Sequence, residues 1–183
     1  MISPWLTIEE CREIGIEAHP SAQVSRGVVS LGAKVKLGEH SRIDHGNILI
    51  GNIEIGRYCH LSLNIILQGK WGITIGDMVG ISSGVTIYTE SDDFSGAGLI
   101  GPNIPDEWRA PPVRGPVVVG RGCVIGCKST LMPRCTLQEA VAIGAHSMVP
   151  KGQIVAGWAI YAGVPIRFIR DRKHNLFDGM QAL

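Results

Sequence analysis

Aliphatic side chains recur every six residues along most of this chain. Leu31, Leu37, Ile43, Leu49, Ile55, Leu61 and Leu67 keep the beat, which resumes after a two-residue slip at Ile75, Ile81 and Ile87. After a longer break it returns at Val119, Ile125, Leu131, Leu137, Ile143 and Val149. Two positions before each beat the residue is small or β-branched, as at Val29, Val35, Ser41, Cys59, Val117, Cys123, Ser129 and Cys135. A short strand puts residues i and i+2 on one face, so both members of each pair point inward. Glycine often follows, as at Gly32, Gly38, Gly56, Gly76, Gly120, Gly126 and Gly144, and suits a corner with positive φ. Three such hexads close one triangular coil, so the period predicts an all-β chain folded as a parallel β-helix.

The segments off the beat divide the chain. Thr7-Ile8-Glu9-Glu10 is a capping-box pattern that opens a short helix closing near Gly15, within an N-terminal lead-in over residues 1–23. The helix is expected to cover the first coil, whose end is otherwise an open edge. The β-helix domain spans residues 24–166, with coils from about Val24 to Ile87 and again from Val117 to about Val149. Between them, the protruding loop 88–116 carries five prolines and the acidic pairs Asp92-Asp93 and Asp106-Glu107. A long unstructured loop in a compact domain is usually functional. The tail 167–183 reads as a basic helix with Phe168, Ile169, Leu176 and Phe177 as its apolar positions.

Composition narrows the function classes. The 183 residues suit one domain, and a net charge of +1 indicates no nucleic-acid partner. Apolar runs are too short for a signal peptide or stable membrane insertion, which points to the cytoplasm. Of five cysteines, Cys59, Cys123 and Cys135 fall in the inward slot and read as buried free thiols. Cys11 lies outside the coils, and there is no CxxC pair.

The interrupted hexads, the segment VGRGCVIGCKSTLMPRCTLQEAVAIGAHSM from Val119 to Met148, and the closing Ala162-Gly163-Val164-Pro165 with its basic follow-on resemble the hexapeptide-repeat acyltransferases. The likeness covers roughly residues 24–173 and is strongest to the branch of galactoside, maltose and surface-polysaccharide acetyltransferases. It implies a left-handed helix, a homotrimer with active sites between subunits, and acetyl-CoA as acyl donor. The acceptor it implies is a hydroxyl of a sugar or surface-polysaccharide precursor. N-acetylation of a nucleotide-linked amino sugar stands as the alternative.

In the sugar acetyltransferases of this family a histidine shortly after the strand preceding the loop acts as general base. This chain places Asp92 there and has no histidine between His60 and His146. Two assignments stay open. Asp92 or Asp93 is the base, its pKa raised by burial beside its acidic neighbours, Glu90 among them. Otherwise His60 is the base, with a loop aspartate fixing its tautomer. A third possibility is an amine acceptor that needs little basic help, or an acidic loop that only binds sugar hydroxyls. Ser62 stands where the family carries an asparagine that holds the acceptor, and Glu90 is a second acceptor-binding candidate. For the donor, the resemblance points to Cys127 and Ala145 along the pantetheine groove, with Lys151, Arg167 and Arg170 for the CoA phosphates. Pro150 stands where a threonine is common.

Two other classes fit parts of the pattern. His40 and His45-Gly46, with His19 upstream, invite comparison with the γ-class carbonic anhydrases, which bind zinc on this fold. The pair is out of phase with the hexads, and no metal site is expected. A non-catalytic solenoid scaffold is the other reading, distinguished by failure to bind acetyl-CoA.

Overall fold

A computed structural model of the chain describes residues 3–178. It is a three-faced, left-handed parallel β-helix whose inward positions form one continuous apolar column. Successive coils pair in parallel with residues about one coil apart in register, as in Leu49↔Leu67, Ile43↔Leu61 and Val119↔Leu137. One face is an eight-stranded sheet running from Gln23–Val24 through His60–Leu61 and Val124–Ile125 to Arg167–Asp171. The other two faces form one ten-stranded sheet, because Val29–Leu37, Ile48–Ile55 and Ile66–Ile75 bend across the edge they share.

The beat locates the core with one exception at the start. Val29 and Leu31 point outward and are 46% and 57% exposed. Their expected places are taken by Val28 and Ser30, since Ser30 pairs with inward Leu49. One extra residue at the corner before Ala33 shifts the phase, and the hydroxyl of Ser30 is left buried without a partner. Coiling also begins earlier than Val24. Ile16–Ala18 pairs with Val35–Leu37 as the first strand. The helix Ile8–Glu13 caps this coil with the expected box: Thr7 N–H donates to Glu10 Oε2 at 2.7 Å, and Glu10 N–H to Thr7 Oγ1 at 3.2 Å. Cys11 acquires a role here, because it is 2% exposed and closes the end of the apolar column.

The glycines after the beat serve a purpose other than the expected one. Among those six-spaced glycines only Gly32 has positive φ. A side chain at Gly120 would instead lie 2.8 Å from the Gln138 carbonyl carbon, and one at Gly76 2.9 Å from Arg121 N. Backbones of stacked coils approach too closely there for a Cβ. The left-handed corner positions fall to other residues, among them Tyr58, Asn64, Met78, Lys128 and His146. Their amides reach the corner below, as in Met78 N–H to Arg57 O at 2.7 Å and His146 N–H to Cys127 O at 2.8 Å. These coil-to-coil bonds offset the strain of an unfavourable φ.

The tail is not a helix over its described part. Arg167–Asp171 is a strand, antiparallel to Ala159–Ala162. The last coil presents unpaired backbone groups, and satisfying them outweighs a helical side-chain pattern. Phe168 packs its edge on Tyr161 at 5.9 Å. The chain then folds back along one edge, where Arg172 donates to the carbonyls of Gly122 and Ala140, and Trp158 stacks on His174 at 4.8 Å. Residues 179–183, part of the expected helix, lie outside the described residues.

Candidate active site

The loop enters and leaves the prism at one riveted point. Thr89 is fully buried; its hydroxyl donates to Gln68 O at 2.6 Å and accepts Trp71 N–H at 3.1 Å. Its carbonyl takes the amide of Gly115 at 3.0 Å, so both ends of the loop meet on it. Glu90–Ser91 pairs antiparallel with Val113–Arg114, which makes the expected structureless segment a hairpin at its base. Further out it holds a 3₁₀ turn at Asp106–Trp108 and a Leu99–Arg109 bridge around buried Ala110.

Glu90 fastens that base. It accepts Trp71 Nε1–H at 2.7 Å and lies 3.5 Å from Lys70 and 3.4 Å from Arg114. The Trp71 hydrogen bond, opposed by partial burial and helped by the two cations, holds its carboxyl below the usual range. Asp93 is engaged as well: Ser95 donates to it from its amide at 2.9 Å and its hydroxyl at 2.8 Å. These bonds, backbone first, lower its pKa too. The acidic cluster therefore does not raise the carboxyl of Asp93, contrary to the sequence expectation for it. Asp92 differs from both. Its main-chain carbonyl accepts Ser91 Oγ–H at 3.3 Å, while its side chain has no hydrogen-bond partner among the described residues and lines an open cleft of about 570 Å³ under the loop.

His60 sits elsewhere, on the outer side of the eight-stranded face. The aspartate that orients it is Asp44, one coil below, and not a residue of the loop. Its Nε2 is 2.8 Å from Asp44 Oδ2, while Arg42 Nε donates to Asp44 Oδ1 at 2.6 Å. Burial pushes the Asp44 carboxyl up, but the bonds from Arg42 and His60 outweigh it and keep the pKa low. His60 itself remains half-exposed. Within one chain it does not meet Asp92, which lies over a different face.

The edge beyond His60 carries hydroxyls. Ser62 Oγ lies 2.9 Å from Ser83 Oγ on the next coil. Sequence reasoning missed Ser83, although Ser82-Ser83 lies in the turn between inward Ile81 and Val85, as Ser62 lies between Leu61 and Ile65. Cys127 and Ala145 continue this edge on the following coils, Cys127 half-buried and Ala145 exposed. Arg167 and Arg170 project from the final strand, both exposed. Lys151 stands on a different edge, near enough to Asp93 to lower its pKa. Cys59, Cys123 and Cys135 are buried free thiols as expected, and burial pushes Cys123 to about 11 and Cys135 to about 12. Of the histidines of the zinc comparison, His40 stacks its ring on Tyr58, and His19 bonds the Ser21 hydroxyl that also accepts the His40 amide. Among the described residues no three His, Cys, Asp or Glu converge as a metal set, and no helix is long and apolar enough to cross a membrane.

No family model matches the chain. It is 31% identical over 150 residues, 82% of this chain and 75% of the other, to a dTDP-4-amino-4,6-dideoxy-D-glucose acyltransferase of Escherichia coli. A galactoside O-acetyltransferase of Escherichia coli K12 is 30% identical over 122 residues, 66% of this chain and 54% of that one. Among solved structures, AntD, an N-acyltransferase from Bacillus cereus in complex with dTDP-4-amino-4,6-dideoxyglucose and coenzyme A, superposes with a TM-score of 0.87. It is 32% identical, over 97% of this chain and 95% of that one. A hexapeptide transferase family protein from Anaplasma phagocytophilum, at 18% identity and a TM-score of 0.60, shares the fold. Fold, repeats and these relatives agree: the chain belongs to the hexapeptide-repeat acyltransferases, in the branch that modifies sugars, and is an acyl-CoA-dependent transferase.

Proposed function

We propose that this chain transfers an acyl group from acyl-CoA to the amine of a nucleotide-linked amino sugar. The hydroxyl acceptor expected from the galactoside and maltose branch gives way to the amine. The N-acyltransferase likeness spans nearly the whole chain, whereas the O-acetyltransferase match covers about two thirds of it. The observation that carries the reading is the loop mouth, which has an uncommitted carboxylate where the sugar acetyltransferases have a histidine. The AntD structures include variants at one serine and at one aspartate ten positions later. Ser82 with Asp92, and Ser83 with Asp93, repeat that spacing here.

The chemistry is consistent with a weak base. A hydroxyl must lose its proton as it attacks, which calls for an imidazole-like group. An amine attacks through its own lone pair, and the N–H of the resulting adduct is acidic enough for a carboxylate to accept. Asp92 takes that role, holding the acceptor's amino group and then receiving the proton. The C–N bond forms, the C–S bond breaks, and the leaving thiolate takes up the proton that Asp92 received, which restores the carboxylate. Ser62 and Ser83 supply hydroxyl donors to the developing oxyanion. Asp93 serves the loop turn, and Glu90 the loop base.

Cys127 and Ala145 form the floor for pantetheine, while Arg167 and Arg170 suit phosphate oxygens with their forked donors. Lys151, on another edge, reaches the same donor only from a neighbouring protomer. A homotrimer meets this need, setting one protomer's serine edge against the next one's loop. Acceptor assays test the reading: thiol release from acetyl-CoA should require a nucleotide-linked amino sugar. Release with simple galactosides, and none with any nucleotide-linked amino sugar, would overturn it.

A further inference from the structure

We infer that the tail strap from Arg172 to Phe177 is a positioning element for the acyl donor: docked in a gap along one edge of the coil, it holds the strand that carries Arg167 and Arg170. This rests on the donor assignment in the function proposed above and adds what keeps those arginines in place. One edge of the prism presents His40, Tyr58, Met78, Gly122, Ala140 and Trp158 on successive coils, all at positive φ. Four of these are large, while Gly122 and Ala140 leave a gap two coils wide between Met78 and Trp158. The tail fills it. A Cβ on Gly122 would lie 2.5 Å from Phe177 Cζ and 3.0 Å from Leu176 Cδ2. Ala140 is fully buried, although it stands on an outer corner.

The strap is fastened by several independent contacts. Arg172 N–H donates to Trp158 O at 2.7 Å, and its Nη1 to Gly122 O at 2.9 Å and Ala140 O at 3.2 Å. His174 stacks on Trp158 at 4.8 Å with the rings 10° apart, and Phe177 meets the same indole edge-on at 5.6 Å. Arg121 covers Phe177 at 4.1 Å. The strand Arg167–Asp171 needs this anchor, because it pairs with the coil on one side only and every residue in it is exposed. A strand that buries so little is readily opened. It lies as a bar across the last coil. Arg167 pairs with Ala162, which stands over Gly144 and so beside the edge of Ala145 and Cys127. Asp171 pairs with Ala159, beside Trp158 on the strap's edge. Ile166, 2% exposed, ties the first end, and the strap ties the second. With the second end loose, the donor itself has to order the arginines, which lowers its affinity.

Titration of the full-length protein with coenzyme A and with pantetheine, which carries the same thiol without the phosphates, tests the inference. His174→Ala with Phe177→Ala should weaken coenzyme A about fivefold, leave pantetheine within about twofold and keep the melting temperature of the coil. Phe177→Leu alone should hold wild-type affinity, because an apolar plug still fills the gap. With Arg167→Ala and Arg170→Ala already in place, the strap substitutions should weaken coenzyme A no further. Equal loss of both ligands would make the strap a general structural element and overturn the inference. Coenzyme A affinity within about twofold of wild type in the strap variant would overturn it as well. If the two arginine substitutions leave coenzyme A affinity unchanged, the donor assignment fails and the inference with it. If the expected binding results hold but no nucleotide-linked amino sugar is acylated, the proposed acceptor fails and the inference stands.

Discussion

The Asp44–His60 pair on the coil and the Asp92-Asp93 pair in the loop place carboxylates in opposite circumstances. Asp44 is nearly buried with both oxygens engaged, one by Arg42 and one by His60. In the loop, Asp93 is engaged by Ser95, whereas the Asp92 side chain lines a cleft with no hydrogen-bond partner among the described residues. A carboxylate already satisfied by the fold has little left to offer a substrate. An unsatisfied one at a cleft is available to bind an amino group and take its proton.

The largest expected effect separates these carboxylates. Asp92→Ala should lower kcat by about 10²–10⁴-fold, whereas Asp93→Ala should cost less than about tenfold. Steady-state rates with saturating acetyl-CoA decide it, and the reverse order would exchange their roles. His60→Asn should fall on the mild side, at under about tenfold. A loss of about a hundredfold there, with Asp92→Ala mild, would move the base to the Asp44–His60 pair.

A smaller change tests the donor edge. Arg167→Ala should raise KM for acetyl-CoA by about tenfold with kcat little altered, as expected for a charge-assisted contact to a phosphate. If only the acceptor KM moves, the tail strand serves the other substrate.

Acid should loosen the loop before the coil. The folded pKa of Glu90 is depressed, so the stability it contributes is present above its unfolded value near 4.5 and is lost as pH falls through the lower folded value. Proteolysis within loop 88–116 should accelerate below about pH 4.5 and be faster already at neutral pH in Glu90→Gln. Equal susceptibility of wild type and variant would remove Glu90 from the loop's anchorage. The smallest effect is on the coil itself. Ser30→Ala should stabilise the protein by about 1 kcal/mol, because it removes a buried hydroxyl without a partner. A fall in melting temperature would show that the hydroxyl is satisfied in solution.

The coil was readable from sequence because a hexad repeat states inside and outside at every second residue. Ile43, Leu61, Ile81, Ile125 and Ile143 are accordingly all buried on one face. The beat misplaces Leu31, where a one-residue insertion keeps the apparent spacing but turns the side chain out. Pattern misleads again at Arg167–Asp171, where an open strand edge overrides local helical spacing. The site was harder to read. Asp92 stood out as the residue in the place of a missing histidine, but its difference from Asp93 depends on which one Ser95 reaches. Asp44 gave no signal, since its partnership with His60 joins residues one coil apart.

The chemical identity of the product tests the central claim most directly. A nucleotide-linked 4-amino sugar and its 4-hydroxy counterpart, offered together with acetyl-CoA, should yield acylated amino sugar whose acyl group resists hydroxylamine, as an amide does. An ester on the hydroxy sugar, released by hydroxylamine while the amine remains free, would contradict it.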